Sequence, residues 1–157
     1  SVLPYHVFRQ MFVVGAAEYF QTPLTQWLAR QVNLVPVDAD SALVSAMQAG
    51  AFGLSHGRVL LLFPEGERSI DGTVRRFKKG APILAAHLGV PIVPVALKGL
   101  WEMWPRTKPI DWRYVGAWRR HRVRIAIGPP VTVSASEPYA DAAARLRATV
   151  DELWQPL

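Results

Sequence analysis

The chain has 157 residues, half of them hydrophobic, which is enough for a real core and excludes a disordered segment. It contains no cysteine, which excludes disulfides and thiol chemistry. Lys and Arg outnumber Asp and Glu by 18 to 12, and the formal charge of +6 favours anionic partners such as phosphorylated substrates, acidic lipid surfaces or nucleic acid.

Strand and helix signals alternate in the first part of the chain. Residues 1–10 are predicted to be irregular, because a proline interrupts them early. Short apolar stretches predict strands at 11–16 and 34–37. A Thr-Pro pair at 22–23 predicts the start of one helix, and apolar residues at helical spacing predict a second helix that Gly57 ends.

An apolar run at 59–63 ends abruptly in a charged loop. The run is too short for a helix and is bounded by turn residues, so we predict a buried central strand. Pro64 and Gly66 end it, because proline cannot donate to a strand ladder and glycine tolerates unusual dihedral angles. The loop therefore follows the carboxyl end of a buried strand, where α/β proteins bind their ligands.

The second half of the chain repeats this alternation. Glycines open and close a predicted helix at 80–89, and a strand that a proline interrupts is predicted at 91–97. A late strand at 123–127 and a closing helix that begins at Glu137 complete the pattern. The alternation predicts βαβ units in a single α/β domain over 1–157, with a mainly parallel sheet flanked by helices.

Three motifs follow one another along the chain: Phe63-Pro64-Glu65-Gly66 with Arg68-Ser69, then Phe77-Lys78-Lys79-Gly80, then Val90-Pro91-Ile92-Val93-Pro94-Val95. Their order and spacing resemble the glycerolipid acyltransferases of the lysophosphatidate acyltransferase (PlsC-like) type. The resemblance implies that family's α/β fold, lacking its N-terminal segment here. It also implies transfer of a fatty acyl group to lysophosphatidate or a related glycerophospholipid. The donor would be acyl-CoA or acyl carrier protein, and no metal or further cofactor is implied.

The first motif is the predicted phosphate site. Arg68 offers a planar fork that matches phosphate oxygens, Gly66 allows close approach of the backbone, and Ser69 adds a hydroxyl. Glu65 could orient Arg68 or accept from a glycerol hydroxyl. The resemblance implies a role in the glycerol-phosphate site for these four residues. The ordinary alternative is a solvated turn with Arg68 paired to Asp71 or Glu65, and the three ordered motifs favour the site.

Two lysines extend this predicted site. Lys78 and Lys79 precede a helix that opens at Gly80, where cations oppose the helix dipole. An anion at that position would be held by both charges and by free backbone N–H groups. The alternative, that both lysines are simply exposed, stays open. The family commonly has Thr after the glycine; this chain has Glu67, whose charge would weaken phosphate binding unless it points away.

No residue of the chain is predicted to be catalytic. The family's base is the His of a His-x-x-x-x-Asp motif, and the fifth residue after His6, His56, His87 and His121 is never Asp. We expect that motif upstream of residue 1 and little turnover from the chain by itself. A non-catalytic module that binds anionic lipid or phosphorylated ligands is the alternative function.

Four tryptophans lie among basic residues at 101–124. Such a mixture suits a membrane interface, where indole rings and cations meet lipid headgroups, and it also suits single-stranded nucleic acid. The ordinary alternative makes Trp101 and Trp104 core anchors and the arginines a solvated face. We favour membrane contact over nucleic acid, and no apolar run approaches the length of a membrane span. The resemblance implies a peripheral protein at the cytoplasmic face of a membrane, because its lipid substrates lie there.

Overall fold

The computed structural model describes residues 4–16, 27, 29, 31, 33–37, 42–109, 111, 113–114 and 123–157. The chain divides into two compact units, Ser1–Leu62 and Phe63–Leu157. We describe each unit by itself, and the single domain expected from the sequence stays a prediction. None of the described helices is both long and apolar enough to cross a membrane.

The first unit is a parallel sheet with helices. Its described elements are helix α1 (Tyr5–Gln10), strands β1 (Met11–Ala16) and β2 (Leu34–Val37), helix α2 (Ala42–Ser55) and strand β3 (Val59–Leu61). The three strands run parallel in the order β2-β1-β3, and Val14 lies opposite Val35. Phe12 is buried, and its ring fills the space that a Cβ at Gly53 of α2 would need. The predicted parallel sheet flanked by helices is confirmed here.

Two predictions for this unit are wrong. The expected irregular start contains α1, because Pro4 acts as the helix N-cap and its carbonyl accepts bonds from the Val7 and Phe8 N–H groups. The expected buried central strand at 59–63 is shorter and lies at the edge of the described sheet, with Val59 37% exposed. The predicted helix start at 22–23 lies outside the described residues.

The second unit combines helices with an antiparallel strand pair. Its described elements are helix α3 (Gly80–Leu88), strand β4 (Val95–Lys98), helix α4 (Leu100–Met103), strand β5 (Arg124–Ile127) and helix α5 (Tyr139–Trp154). Strands β4 and β5 run antiparallel, with Val95 opposite Ile127. The predicted interruption by Pro94 is confirmed: its carbonyl accepts from Gly128 N at 2.9 Å, and the strand proper begins one residue later.

The core of this unit fixes the charged loop to α5. Phe77 is buried together with Ala143 and Leu146 of α5. Partly buried side chains complete the cluster: Val74, Ile92, Val131 and Val150. Because Phe77 and Val74 belong to the loop, residues 63–79, burial of these side chains determines where the end of that loop lies.

Candidate functional site

Loop 63–79 begins with a turn that only glycine fits. Gly66 N donates to Phe63 O at 3.0 Å, and Gly66 has φ +73°, in the left-handed region. The Lys78 side chain lies across Gly66, in the space that a Cβ would occupy. Lys78 N also donates to Pro64 O at 2.7 Å. The turn therefore holds the predicted phosphate ligand Lys78 directly against the Pro-Glu-Gly segment.

Glu65 closes the loop onto itself. Its side chain is half-buried, and Oε2 accepts a hydrogen bond from Arg75 N at 3.0 Å. This contact joins the start of loop 63–79 to its second half. The structure thus directs Glu65 to a backbone N–H of the loop, while Arg68 is positioned by other groups.

Arg68 rests on a tryptophan. Its Cζ lies 4.4 Å from the centroid of the Trp104 ring, and Nη1 donates to Pro105 O at 3.1 Å. The described hydrogen bonds of Asp71 go to Ser69 and Thr73, so the Arg68–Asp71 pair of an ordinary charged turn does not form. The bond to Pro105 uses one of the five guanidinium N–H donors. The exposed remainder of the fork faces no described carboxylate within bonding distance.

Ser69 belongs to a tight turn. Its hydroxyl accepts from Gly72 N at 2.8 Å and lies 3.1 Å from Asp71 Oδ1. Asp71 Oδ1 also accepts from the backbone N–H and the hydroxyl of Thr73, and these bonds, the backbone bond first, hold the pKa of Asp71 below its usual value. The Ser69 hydroxyl is therefore committed to the turn, and its predicted contact with phosphate stays a prediction.

Glu67 forms a charge cluster that the sequence did not indicate. Its carboxylate makes ion pairs with Arg75 through one oxygen and with Arg106 through the other. All three side chains are partly exposed, between 37% and 46%. Arg106 is 39 positions away along the chain, so no local pattern could have predicted this contact.

The tryptophans support the loop. Trp101 Nε1 donates to Ile70 O at 2.9 Å, and its ring lies against Gly72, where a Cβ would stand 3.2 Å away. Trp101 and Trp104 are 41% and 48% exposed, so the alternative that makes them core anchors is wrong. Instead, the Trp101 N–H group binds a carbonyl of loop 63–79, and the ring face of Trp104 supports Arg68 of the same loop. Trp112, Trp118 and the basic run at 119–122 lie outside the described residues, whereas Arg113 is described and pairs with Asp111.

Lys79 stands at the first turn of α3. It is the N-cap residue, its side chain is exposed, and its carbonyl accepts from Ile83 N at 3.0 Å. The predicted helix start at Gly80 is confirmed, as is its end at Gly89, where φ is +63°. The two lysines thus lie at the positive end of a helix dipole, which is the arrangement that an anion would stabilise.

The histidines of the described residues have ordinary structural contacts. His56 stacks on Phe52 at the end of α2, and His87 lies 3.2 Å from the Tyr139 hydroxyl. His6 is exposed on α1, and His121 lies outside the described residues. In the part of the chain that the structure describes, no group of three or more His, Cys, Asp or Glu side chains could hold a metal ion.

Comparison with known proteins adds a family. The family model called Acyltransferase matches residues 1–98. The 1-acyl-sn-glycerol-3-phosphate acyltransferase of Chlamydomonas reinhardtii is 35% identical over 107 residues, 66% of this chain and 32% of that protein. The enzyme of the same name from Pseudomonas aeruginosa is 26% identical over 151 residues, 94% of this chain and 54% of that protein.

A solved structure shares the fold. The crystal structure of the 1-acyl-sn-glycerophosphate acyltransferase PlsC from Thermotoga maritima superposes with a TM-score of 0.69 at 25% identity, covering 94% of this chain and 56% of that one. The chain therefore spans between about a quarter and somewhat over half of the length of the relatives it matches. With a family model over more than half of its length, and with the Pro-Glu-Gly loop built as described, the chain belongs to the acyltransferase family.

Proposed function

We propose that the protein containing this chain transfers a fatty acyl group from acyl-CoA or acyl carrier protein to lysophosphatidate or a related glycerophospholipid. The relatives named 1-acyl-sn-glycerol-3-phosphate acyltransferases support the reaction class. In the reaction, the acceptor hydroxyl attacks the thioester carbonyl, a base takes the hydroxyl proton, and the thiol of the donor leaves. An ester replaces the thioester, so no redox step is needed.

In this proposal, loop 63–79 holds the phosphate of the acceptor. The observation that carries it is the placement of two exposed cations: Lys78 across Gly66 of the loop, and Arg68 on the ring of Trp104. A guanidinium and an ammonium bind phosphate oxygens through charge-assisted hydrogen bonds, which are roughly twice as strong as neutral ones. Lys79, at the N-terminus of α3, adds charge where the helix dipole also favours an anion.

Transfer needs a base that this chain does not supply in the family's pattern, since none of its four histidines is followed by Asp at the fifth position. We expect little or no turnover when the 157-residue chain alone is assayed with radiolabelled acyl-CoA and lysophosphatidate. Robust turnover would show that another residue of the chain acts as the base. If a longer protein carrying the chain binds phosphate but still fails to transfer, the non-catalytic binding module becomes the better description.

A membrane surface is the proposed place of work. Ile70 is an exposed apolar residue of the loop, Trp101 donates to its carbonyl, and Trp104 lies under Arg68. Indole rings with neighbouring cations favour the headgroup region of anionic bilayers. Replacing Ile70 and Trp104 by Ser should weaken sedimentation with anionic vesicles severalfold. Unchanged sedimentation, or equal retention on neutral vesicles and on RNA, would contradict the proposal.

The phosphate site can be tested by binding. Arg68→Ala and Lys78→Ala should each lower the affinity for glycerol 3-phosphate by about tenfold, since a hydrogen bond to a charged group contributes about 1.5–3 kcal/mol. Arg58→Ala removes the same charge from an exposed position in the first unit and is the matched control. If the control weakens binding as much as the loop variants, net charge and not the loop accounts for the affinity.

A further inference from the structure

Glu67 adds a negative charge to loop 63–79, which carries the proposed phosphate site. Its carboxylate lies between Arg75 and Arg106 and follows Gly66, over which the Lys78 side chain lies. The described cations of this region are therefore not all free for a ligand. Two of the guanidinium groups already have an anionic partner, and that partner belongs to the protein.

Two opposing effects of Glu67 can be weighed. As a support, it holds the two arginines by ion pairs that are 37% to 46% exposed, and such pairs stabilise a structure only weakly. As a charge, it repels any phosphate bound nearby. Taking a separation of about 7 Å and an effective dielectric constant of about 60, Coulomb's law gives roughly a fourfold loss of affinity for a monoanion. The repulsion acts on the affinity for the ligand and the support on the stability of the loop, so the two effects can be measured separately.

The repulsion depends on the charge of the ligand. Electrostatic energy is proportional to that charge, so the same carboxylate costs a dianion about fifteenfold where it costs a monoanion about fourfold. A phosphomonoester carries nearly two negative charges above its second pKa near 6, whereas a phosphodiester carries one. Glu67 therefore changes the ratio of the two affinities as well as their size.

We propose that Glu67 is a specificity-determining residue that reduces the preference of loop 63–79 for dianionic phosphomonoesters over monoanionic phosphodiesters. The acceptors of the protein then include lysophospholipids with a phosphodiester headgroup, alongside lysophosphatidate. This inference rests on the proposed phosphate role of the loop. It deepens that role by naming the class of headgroup and the residue that selects it.

The test compares two ligands that differ by one charge. Glycerol 3-phosphate and its methyl phosphodiester are titrated at pH 8 and low salt into the full-length protein, as wild type and as Glu67→Gln. The variant should bind the monoester about fifteenfold and the diester about fourfold more tightly, so that the ratio of affinities rises about fourfold. Glu67→Asp keeps the charge and should retain the wild-type ratio.

Two controls separate local charge from other effects. Glu152→Gln removes an exposed carboxylate from the last turn of α5, outside loop 63–79, and should leave the ratio unchanged. Adding Arg75→Gln to Glu67→Gln should reverse most of the gain in affinity. Glu67→Gln frees the Arg75 guanidinium, and Arg75→Gln removes it. Thermal melting of each variant checks that it remains folded.

Each outcome decides one question. If Glu67→Gln leaves the ratio unchanged, or weakens both ligands equally, Glu67 is a structural support and the inference is overturned, even when Arg68→Ala still weakens binding. If the wild type binds neither ligand, or if Arg68→Ala has no effect on either, the proposed phosphate site itself fails. The two failures are therefore distinguishable in one set of titrations.

Discussion

Replacing Gly66 by Ala adds a single Cβ atom and so tests whether the position of Lys78 over the turn matters for binding. Gly66 has φ +73°, a conformation that costs an L-residue such as Ala about 1–2 kcal/mol. Alanine also lowers the entropy of the unfolded chain, which returns about 0.4–1 kcal/mol. The net loss in the free energy of unfolding should therefore be about 1 kcal/mol. The new Cβ would in addition occupy the space of the Lys78 side chain.

The structure provides a matched control at Gly57. It has φ +70°, nearly the same as Gly66, but a Cβ there would meet nothing within 4 Å. Gly57→Ala should therefore lose the same stability without moving another side chain. At Gly66 the displaced atoms are the far end of a flexible lysine, so the backbone can stay in place while the ammonium leaves the turn.

The two variants should agree in stability and differ in binding. Urea unfolding should give the same loss of about 1 kcal/mol for both. Calorimetric titration with glycerol 3-phosphate should show about a tenfold loss for Gly66→Ala alone, the size expected for one charge-assisted hydrogen bond. Adding Lys78→Ala to Gly66→Ala should cost little more, because both changes remove the same contact.

Two results would refute this reasoning. If Gly66→Ala binds glycerol 3-phosphate as well as the wild type, the position of Lys78 over the turn has no part in binding. If Gly57→Ala loses as much affinity as Gly66→Ala, the effect comes from general destabilisation and not from the displaced ammonium.

Two further predictions concern stability. Phe77→Ala should lower the free energy of unfolding by about 3–5 kcal/mol, because it empties the centre of the core cluster of the second unit; a loss below about 1 kcal/mol in urea unfolding would contradict that packing. Asp71→Asn should flatten the acid side of the pH–stability curve. Hydrogen bonds from Thr73 hold the folded-state pKa of Asp71 below its ordinary value of 3.8, so its contribution is present above that pH and is lost as the pH falls through the folded-state pKa. Identical acid-unfolding curves for variant and wild type would show that the turn contributes nothing.

Helix ends were predictable because their causes are local. Gly57 and Gly89 follow helices and have the left-handed φ values of +70° and +63° that only glycine adopts cheaply. Pro138 precedes α5, and its carbonyl accepts from Asp141 N and Ala142 N in the first turn. In each case a single glycine or proline near the helix end accounts for that end, so the sequence pattern predicts it.

Position in the sheet was less predictable because it depends on partners far along the chain. The run at 59–63 is apolar enough for a central strand, but β3 pairs only with β1 among the described strands. Phe63 is 58% exposed, and its carbonyl accepts the bond that begins the Gly66 turn. Hydrophobicity indicated a strand and could not indicate how many neighbours it would have.

In the candidate site, too, local features were predictable from the sequence and long-range contacts were not. The motifs placed Gly66, Arg68 and Lys78 in one loop, and the structure brings Lys78 onto Gly66. The contacts of Glu67 with Arg106, and of Trp104 with Arg68, join residues more than 30 positions apart, and no spacing rule predicts them. Only the tertiary structure shows that the Glu67 carboxylate pairs with Arg75 and Arg106. This pairing is the basis of the proposed selection of the acceptor headgroup.

Loop 63–79 owes its shape to groups other than its exposed charges. Phe77 anchors one end in the core, Glu65 binds a backbone N–H, and Trp101 binds the Ile70 carbonyl. The exposed ion pairs contribute at most about 1 kcal/mol each, whereas removal of a buried Phe costs about 3–5 kcal/mol. The stability of loop 63–79 therefore depends little on its exposed cations. Substitutions of Arg68, Lys78 or Glu67 therefore report on the ligand rather than on folding.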